Sequence, residues 1–368
     1  MSLGIAIIRE TTPNEKRVAL VPESVKKLID KGFKVYVERD AGKNAHYLDS
    51  YYKESGAEVL ENPKEVFSRS QIILKVQPPT PEEIDAIATG SFVIGFLQHY
   101  RYPERVKKMA EKGINAFAIE LVPRITRAQS IDALSSQAAV AGYKAAVIAA
   151  NLSSRFFPML TTAAGTVRPS KVLVIGAGVA GLQAIATARR LGAVVEGYDV
   201  RKAAKEEIES LGARFLESPV VAEGTGGYAR ELTQEEKDTQ HKFMADNIGK
   251  ADVVITTAQV PGRKAPIIIT RDMVEKMKPS SVIVDVAAEN GGNCELTKPG
   301  ETVESGGVLI YGPLNLPSTL PTHASEMYSK NLFNFLNLLT KDGKTLDVDF
   351  NDEVLQKSCI TYKGEIKI

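Results

Sequence analysis

The chain has 368 residues, enough for two domains of ordinary size. With 43% hydrophobic residues, 25% charged residues and a net charge of +1, it has the composition of a globular protein, and this near-neutral balance gives no support for a nucleic-acid partner. No run reaches roughly 18 uninterrupted apolar residues, so no transmembrane helix is expected.

The opening, MSLGIAIIRE, lacks a basic n-region and a cleavage site and reads as a first strand at 4–8 rather than a signal peptide. Residues 22–30, PESVKKLID, follow as a helix with Pro near its start and Gly32 past its end. Then come a strand at 35–38, a helix around Glu65, a strand at 71–76, a helix at 81–88, a strand at 91–97, a helix at 104–112 and a strand at 114–121. Strands alternating with helices imply a parallel sheet covered on both faces. No G-x-G-x-x-G follows any of these strands, so this region is expected to be Rossmann-like in layout without a nucleotide fingerprint.

Residues 135–156 read as one long Ala-rich helix crossing between domains. The fingerprint itself follows in KVLVIGAGVAGLQAIATARRLGAVVEGYDVR, residues 171–201. Val172 to Ile175 is a short β-branched run suited to a strand buried on both faces. Gly176, Gly178 and Gly181 have the G-x-G-x-x-G spacing and run into an Ala-rich helix that Gly192 stops. A second strand rises from Val194 to Tyr198 and ends in Asp199. In this motif Gly176 permits the tight turn, Gly178 lets the backbone approach a pyrophosphate, and Gly181 lets helix and strand pack closely. The helix N-terminus offers N–H groups and the positive end of its dipole. Asp199, 23 positions after Gly176, suits the adenosine ribose hydroxyls and favours NAD over NADP. Arg201 beside it is of the type that accommodates a 2′-phosphate and is read as secondary.

Later strands are expected at 253–257, 282–287 and 308–311. Ahead of them, 218–250 is a charged, Gly-containing excursion with a helical tail at 234–246, longer than a compact α/β unit needs. A final helix at 324–339 is expected to cross back, leaving 340–368 to finish the first domain. The expected fold is therefore α/β: two Rossmann-like domains with parallel sheets, joined by two long crossing helices, with a cleft between them. The first comprises 1–135 plus 325–368 and the second 136–324. Cys294 and Cys359 have no metal-type spacing and read as free thiols of an intracellular protein. With two Cys and four His in the chain, a zinc or iron site is not expected.

Four constellations compete for the chemistry. The first is Pro123 to Asp132, PRITRAQSID, with Ser135 and Ser136 after it. Arg124 suits a pyrophosphate or a carboxamide oxygen, Gln129 a bridging role, and Asp132 the orientation of Arg124 or of a nicotinamide amide. The alternative is a solvated linker with a helix cap at Asp132. The second is Gly226-Gly227-Tyr228, either a hinged lid that lowers Tyr228 onto a cofactor or an ordinary loop. The third is Lys75 and His99 at strand ends with Arg17 in an early loop. These are either a clamp for a small carboxylate with a proton carrier, or two surface charges and a satisfied histidine. The fourth is 287–293, AAENGGN, either a close backbone approach to a cofactor or a purely conformational turn.

The segments PRITRAQSIDALSSQ, GAGVAGLQAIATARRLGAVVEGYDVR, GGYARE and AENGGNCEL resemble the NAD(H)-binding component of proton-translocating nicotinamide nucleotide transhydrogenase, and the resemblance covers essentially the whole chain. The family is related to alanine dehydrogenase, which shares the two-domain fold and the Lys75, His99 and Arg17 type positions, where it binds pyruvate. The RAQSxD segment and the long excursion favour transhydrogenase. The resemblance implies an oxidoreductase and translocase of the Si-specific/Re-specific type, in which this component binds NADH and passes a hydride to NADP⁺ on a separate component. A membrane component couples that transfer to proton movement. It further implies a homodimer docked peripherally on the cytoplasmic face of a bacterial inner membrane through its partners. The end of the chain at Ile368 is read as a stand-alone subunit of a split enzyme.

Carried over residue by residue, Arg124, Ile125, Thr126, Arg127, Gln129, Asp132 and Ser135 serve the nicotinamide end, with Gln129 also reaching toward the partner's nucleotide. Gly176, Gly178, Val179, Ala180 and Gly181 take the pyrophosphate. Asp199, Val200 and Arg201 take the adenosine ribose. Gly227 and Tyr228 belong to a mobile loop, and Gln240, Ala258 and Gln259 complete the cofactor contacts. Arg124, Gln129, Asp132, Ser135 and Tyr228 are the residues expected to carry the transfer. Gln259 departs from the aliphatic residue expected there. Two other classes stand beside this reading: alanine dehydrogenase, and an NAD-binding regulatory module.

Overall fold

The computed structural model describes residues 2–220, 233–259, 262–340 and 343–368. Its strands, in chain order, are β1 (Gly4–Ile7), β2 (Lys34–Glu38), β3 (Glu58–Leu60), β4 (Ile72–Leu74), β5 (Phe92–Gly95), β6 (Asn115–Ala118), β7 (Leu160–Thr162) and β8 (Gly165–Val167). There follow β9 (Lys171–Ile175), β10 (Val194–Tyr198), β11 (Arg214–Phe215), β12 (Val253–Thr256), β13 (Val282–Asp285), β14 (Thr302–Ser305), β15 (Val308–Tyr311), β16 (Cys359–Tyr362) and β17 (Glu365–Ile366). The chain divides into two compact units, Met1–Gln137 with Pro317–Ile368, and Ala138–Leu316.

In the first unit, eight strands of the described residues lie in the order β17-β16-β6-β5-β4-β1-β2-β3. The stretch from β6 to β3 is parallel throughout, while β16 and β17 add an antiparallel edge. Successive side chains of one strand point to opposite faces. Accordingly Ile5, Ile7, Ile72 and Leu74 join the core on one side, with Phe335 and Leu339 of the helix Pro321–Leu339. Ala6, Ile8, Ile73 and Val93 join the core on the other. A sheet covered on both faces cannot show polar alternation, which is why these strands read as continuous apolar runs.

The second unit repeats the plan in the order β11-β10-β9-β12-β13-β15-β14. Every pairing from β11 to β15 is parallel and only β14 is antiparallel. Numbered from β9, the parallel part runs 3-2-1-4-5-6, the order of doubly wound dinucleotide folds. Val172, Val174, Val253 and Ile255 face one core and Leu173, Ile175, Val254 and Ile283 the other. Burying each such side chain contributes about 1.5–3 kcal/mol.

Element limits differ from the sequence expectation in ways that have causes. The strand expected at 114–121 stops at Ala118, because Ile119–Leu121 winds into a short 3-10 turn. That turn brings the Glu120 carboxylate back onto the backbone N–H groups of Leu97, at 3.1 Å, and Gln98, at 2.6 Å. The long helix is Ala133–Leu152, starting earlier than expected because Asp132 caps it. It ends at Leu152, well short of Phe156. The helix Pro321–Leu339 belongs wholly to the first unit.

Candidate functional site

In a doubly wound sheet the ligand position is the point where strand order reverses, at the carboxyl ends of the strands. In the second unit that point lies between β9 and β12. The glycine loop leaves β9 there. Gly176 has φ +93°, a region L-residues avoid, and a Cβ on it would lie 2.8 Å from Thr257 Oγ1. A Cβ on Gly181 would lie 1.8 Å from the Gly176 carbonyl oxygen, so only glycine lets the helix start this close to the turn. Gly178 differs: a Cβ there meets nothing within 4 Å, so its side faces open space. The helix Val179–Arg190 begins just after it with no side-chain cap. The amides of Val179, Ala180 and Gly181 therefore lie in a first turn, where the helix itself offers them no acceptor. This is an anion cradle beside an approachable backbone.

Asp199 ends β10 and faces the same loop. Its Oδ2 accepts from the Ala177 N–H at 2.7 Å and its Oδ1 from the Arg201 N–H at 2.8 Å. Next to it, a cavity of about 160 Å³ is lined by Tyr198, Asp199, Val200, Lys202, Phe215 and Ser218, among others. Gln240, on the helix Gln234–Ile248, donates to the Tyr198 hydroxyl at 2.8 Å.

Across the reversal, Thr257 Oγ1 donates to the Gly176 carbonyl at 3.0 Å, locking the end of β12 to the glycine turn. Ala258 is held at both ends by the buried Asn293, whose Oδ1 accepts from its N–H at 3.1 Å and whose Nδ2 donates to its carbonyl at 2.8 Å. Gln259 is exposed and donates to the Val286 carbonyl at 2.9 Å. The 287–293 turn takes its shape from Asp285, which residue type and spacing alone leave as one more residue of a strand. Asp285 is fully buried and accepts from Thr256 Oγ1, Ala287 N, Asn293 N, Cys294 N and Thr297 Oγ1. An acid closing a β-branched run, as Asp199 does, was the available signal. Gly226, Gly227 and Tyr228 lie outside the described residues.

In the first unit a cavity of about 330 Å³ is lined by Pro123, Arg124, Ile125, Thr126, Ala128, Gln129, Asp132 and Ser135. Arg124 and Gln129 are exposed, and among the described residues no ion-pair partner of Arg124 is present. Asp132 is a helix cap as well as a wall of the cavity: Oδ1 accepts from Ser135 N at 2.9 Å and Oδ2 from Ser135 Oγ at 2.6 Å. Two asparagines of the helix Pro321–Leu339 hold the loop from behind, Asn331 and Asn334 both donating to the Ser130 carbonyl. Arg127 is turned to a different task. It forms a two-pronged ion pair with Asp352, Nη1 to Oδ2 at 2.9 Å and Nη2 to Oδ1 at 2.8 Å, and does not line the cavity.

Lys75, Arg17 and Glu10 gather where strand order reverses in the first unit, beyond β1 and β4. Lys75 and Arg17 are buried rather than surface charges. Lys75 Nζ donates to Glu83 at 2.7 Å and lies 3.5 Å from Glu10. Arg17 donates from Nε and Nη2 to Glu15 and from Nη1 to Gln137 Oε1 at 2.8 Å. Gln77 ties the two pairs, donating to Glu15 at 2.7 Å and, through its N–H, to Glu10. The half-buried His99 has a buried Nδ1 without a hydrogen-bond partner among the described residues, and burial lowers its pKa.

Burial pushes the Glu10 carboxyl up to about 7, against the pull of Lys75. Burial also acts to raise Glu15, but the Arg17 guanidinium overrides it and holds that carboxyl at about 2. Burial likewise lifts Glu120, to about 6. Because the folded chain keeps a proton on Glu10 that the unfolded chain releases above 4.5, stability falls as pH rises from 4.5 through about 7. Glu10→Gln is expected to remove most of that fall, leaving the smaller shares of Glu120 and Glu38, whose carboxyls burial also raises. Thermal midpoints of the two proteins across this pH window provide the check, and parallel curves would show that Glu10 is ionised throughout.

A parallel 3-2-1-4-5-6 sheet, a glycine loop leaving its first strand and an acid closing its second place the second unit in the Rossmann class of dinucleotide-binding domains. The chain belongs to the alanine dehydrogenase/PNT family: the N-terminal domain of that family matches 6–141 and the C-terminal domain matches 145–368. It is 45% identical over 374 aligned positions to the first-part chain of NAD(P) transhydrogenase subunit alpha from Rhodospirillum rubrum, covering 99% of this chain and 97% of that one. It is 31% identical to alanine dehydrogenase of Bacillus subtilis, covering 86% and 80%. The crystal structure of transhydrogenase from Sinorhizobium meliloti superposes with a TM-score of 0.89 at 45% identity, covering 99% of both chains. No helix of the described residues is long and apolar enough to cross a membrane.

Proposed function

We propose that this chain is the NAD(H)-binding component of a proton-translocating NAD(P) transhydrogenase, transferring a hydride between NADH and NADP⁺ held on a partner component. The observation that carries the reading is identity of 45% along nearly the whole chain to a transhydrogenase alpha subunit, against 31% to an alanine dehydrogenase. The second unit supplies what NAD(H) requires: first-turn amides and the open Gly178 face for the pyrophosphate, and Asp199 for the ribose. When bound, the nicotinamide supplies the hydride. The residues of this chain then have only to orient it and exclude water, since hydride transfer between two such rings needs no general acid, base or nucleophile.

The Arg124, Gln129, Asp132 and Ser135 group fits that work. Its loop is pinned by the Asp132 cap, the two asparagines and the Arg127–Asp352 pair, yet Arg124 and Gln129 remain exposed. We assign Gln129 to positioning. Gln129→Asn should slow transfer by roughly a hundredfold, the effect of a misplacement near 1 Å, while NADH affinity changes little. Equal losses in transfer and in affinity would remove the positioning role.

A homodimer docked through partner components on the cytoplasmic face of a bacterial membrane completes the proposal. The β7–β8 hairpin suits pairing with a second copy, since Met159, Leu160 and Val167 on it are all exposed. The reading is tested by mixing the purified chain with NADH and an NADP(H)-binding component and following hydride transfer to an NADP⁺ analogue, with pyruvate and ammonium in parallel. Transfer that requires the second component, with pyruvate inert, is expected. Oxidation of NADH by this chain with pyruvate alone would favour alanine dehydrogenase and the Lys75, Arg17 and His99 cluster instead.

A further inference from the structure

Asp199 is already committed to other partners. Oδ1 accepts from the Arg201 N–H at 2.8 Å and from Arg201 Nε at 3.0 Å. Oδ2 accepts from the Ala177 N–H at 2.7 Å and from Arg201 Nη2 at 3.2 Å. A carboxylate has about four acceptor positions, two on each oxygen. All four are therefore in use, three of them by one residue. Arg201 Nη2 also reaches the Ala177 carbonyl at 3.1 Å, closing a ring from the strand end to the glycine turn. The Asp199 side chain is only 10% exposed.

The four contacts are not equivalent. Those from Ala177 N and Arg201 N belong to the main chain and hold the carboxylate where the turn places it. Those from Nε and Nη2 belong to a side chain that is 32% exposed. Two hydroxyl donors of a ribose can reach Asp199 only at the two positions the guanidinium occupies. The exchange trades two charge-assisted N–H bonds for two O–H bonds to the same anion, so it is close to balanced. Much of the affinity that the ribose would otherwise gain is offset by removal of the arginine.

We propose that Arg201 is an internal competitor of the adenosine ribose for Asp199 and thereby sets NAD(H) affinity below what the site would otherwise give. This rests on the NAD(H) reading above. Arg201 is then a specificity-determining residue of unusual sign: removing a residue of the binding loop tightens binding. Such a competitor favours release of the nucleotide, which a carrier that reloads at every turnover requires.

The test is calorimetric titration of the full chain with NADH for wild type, Arg201→Ala, Arg201→Lys, Asp199→Ala and the double variant Asp199→Ala/Arg201→Ala. Arg201→Ala is expected to tighten NADH by roughly threefold to tenfold, the scale of a typical net hydrogen bond, because the two competing bonds are nearly balanced by those of the ribose. Arg201→Lys should fall between it and wild type, and it carries the test if the alanine variant does not fold. The gain should vanish when Asp199 is alanine, a coupling that a merely structural role for Arg201 does not produce. Unchanged or weaker NADH binding by Arg201→Ala overturns the proposal, as does tightening that persists without Asp199. So does a variant that leaves NADH alone and weakens NADPH, which would make Arg201 a phosphate ligand. Absence of NADH binding by the wild type would instead remove the NAD(H) reading itself, and the competitor with it.

Discussion

Gly181→Ala is expected to unfold or strongly destabilise the second unit, while Gly178→Ala, three positions earlier in the same loop, leaves its stability unchanged and weakens NADH binding. The two glycines face different things. A Cβ on Gly181 would sit 1.8 Å from the Gly176 carbonyl oxygen and 2.8 Å from its carbon, and both are backbone atoms that cannot step aside. The helix would have to lift away from the turn, breaking the Thr257 bond to the Gly176 carbonyl and the contact with β9. The cost is about 3 kcal/mol or more, equivalent to a drop of roughly 10 °C in the unfolding midpoint. On Gly178 the same methyl meets nothing within 4 Å, and its φ of −74° is one that any residue adopts. Its only effect is to hold a ligand's phosphates off the backbone. Thermal unfolding and NADH titration of both variants separate the two outcomes. A Gly178→Ala protein that binds NADH as the wild type does would show that the pyrophosphate does not approach there.

Asp285→Ala is expected to cost a comparable amount, for the opposite reason: it removes an acceptor rather than adding a clash. Five donors converge on this one buried carboxylate, three of them backbone N–H groups. Each buried donor left unsatisfied costs about 1–3 kcal/mol, so a loss of roughly 4 kcal/mol follows even if some donors find water. The damage should spread to the site. Asn293 is oriented by Asp285 and in turn holds both ends of Ala258, so NADH affinity should fall with stability. Asp285→Asn keeps the shape but turns an amide N–H₂ toward N–H donors, and it should recover little. Hydrogen exchange at Asn293 and Cys294, with the unfolding midpoint, reports the effect directly. A midpoint within a degree or two of wild type would show that these loops hold themselves.

The glycine motif, the strand-end Asp199 and the PRITRAQSID loop were all legible from residue type and spacing, because each meets a local demand. A tight turn requires φ above zero at Gly176. The acid closing β10 accepts from the Ala177 N–H of the glycine turn, and a helix start requires the cap that Asp132 provides. Arg127 shows the limit of such reasoning. It sits two residues before Gln129 in the same motif, yet its guanidinium pairs with Asp352, 225 positions along the chain. Nothing local separates it from Arg124. Asp285 shows the same limit from the other side, since its five donors come from three separate segments and only folding brings them together.

By itself the sequence determined the alternation of strands and helices, the parallel character of both sheets and the presence of a phosphate-type loop in the second half alone, because periodicity and glycine geometry are local properties. Strand order, which makes the reversal points the places where side chains gather, was decided only by the tertiary structure. So were the burial of Lys75 and Arg17 against Glu83, Glu10 and Glu15, and the filling of Asp199 by Arg201. Whether a charge faces water or another charge depends on which chain segments meet, and no spacing along the chain records that.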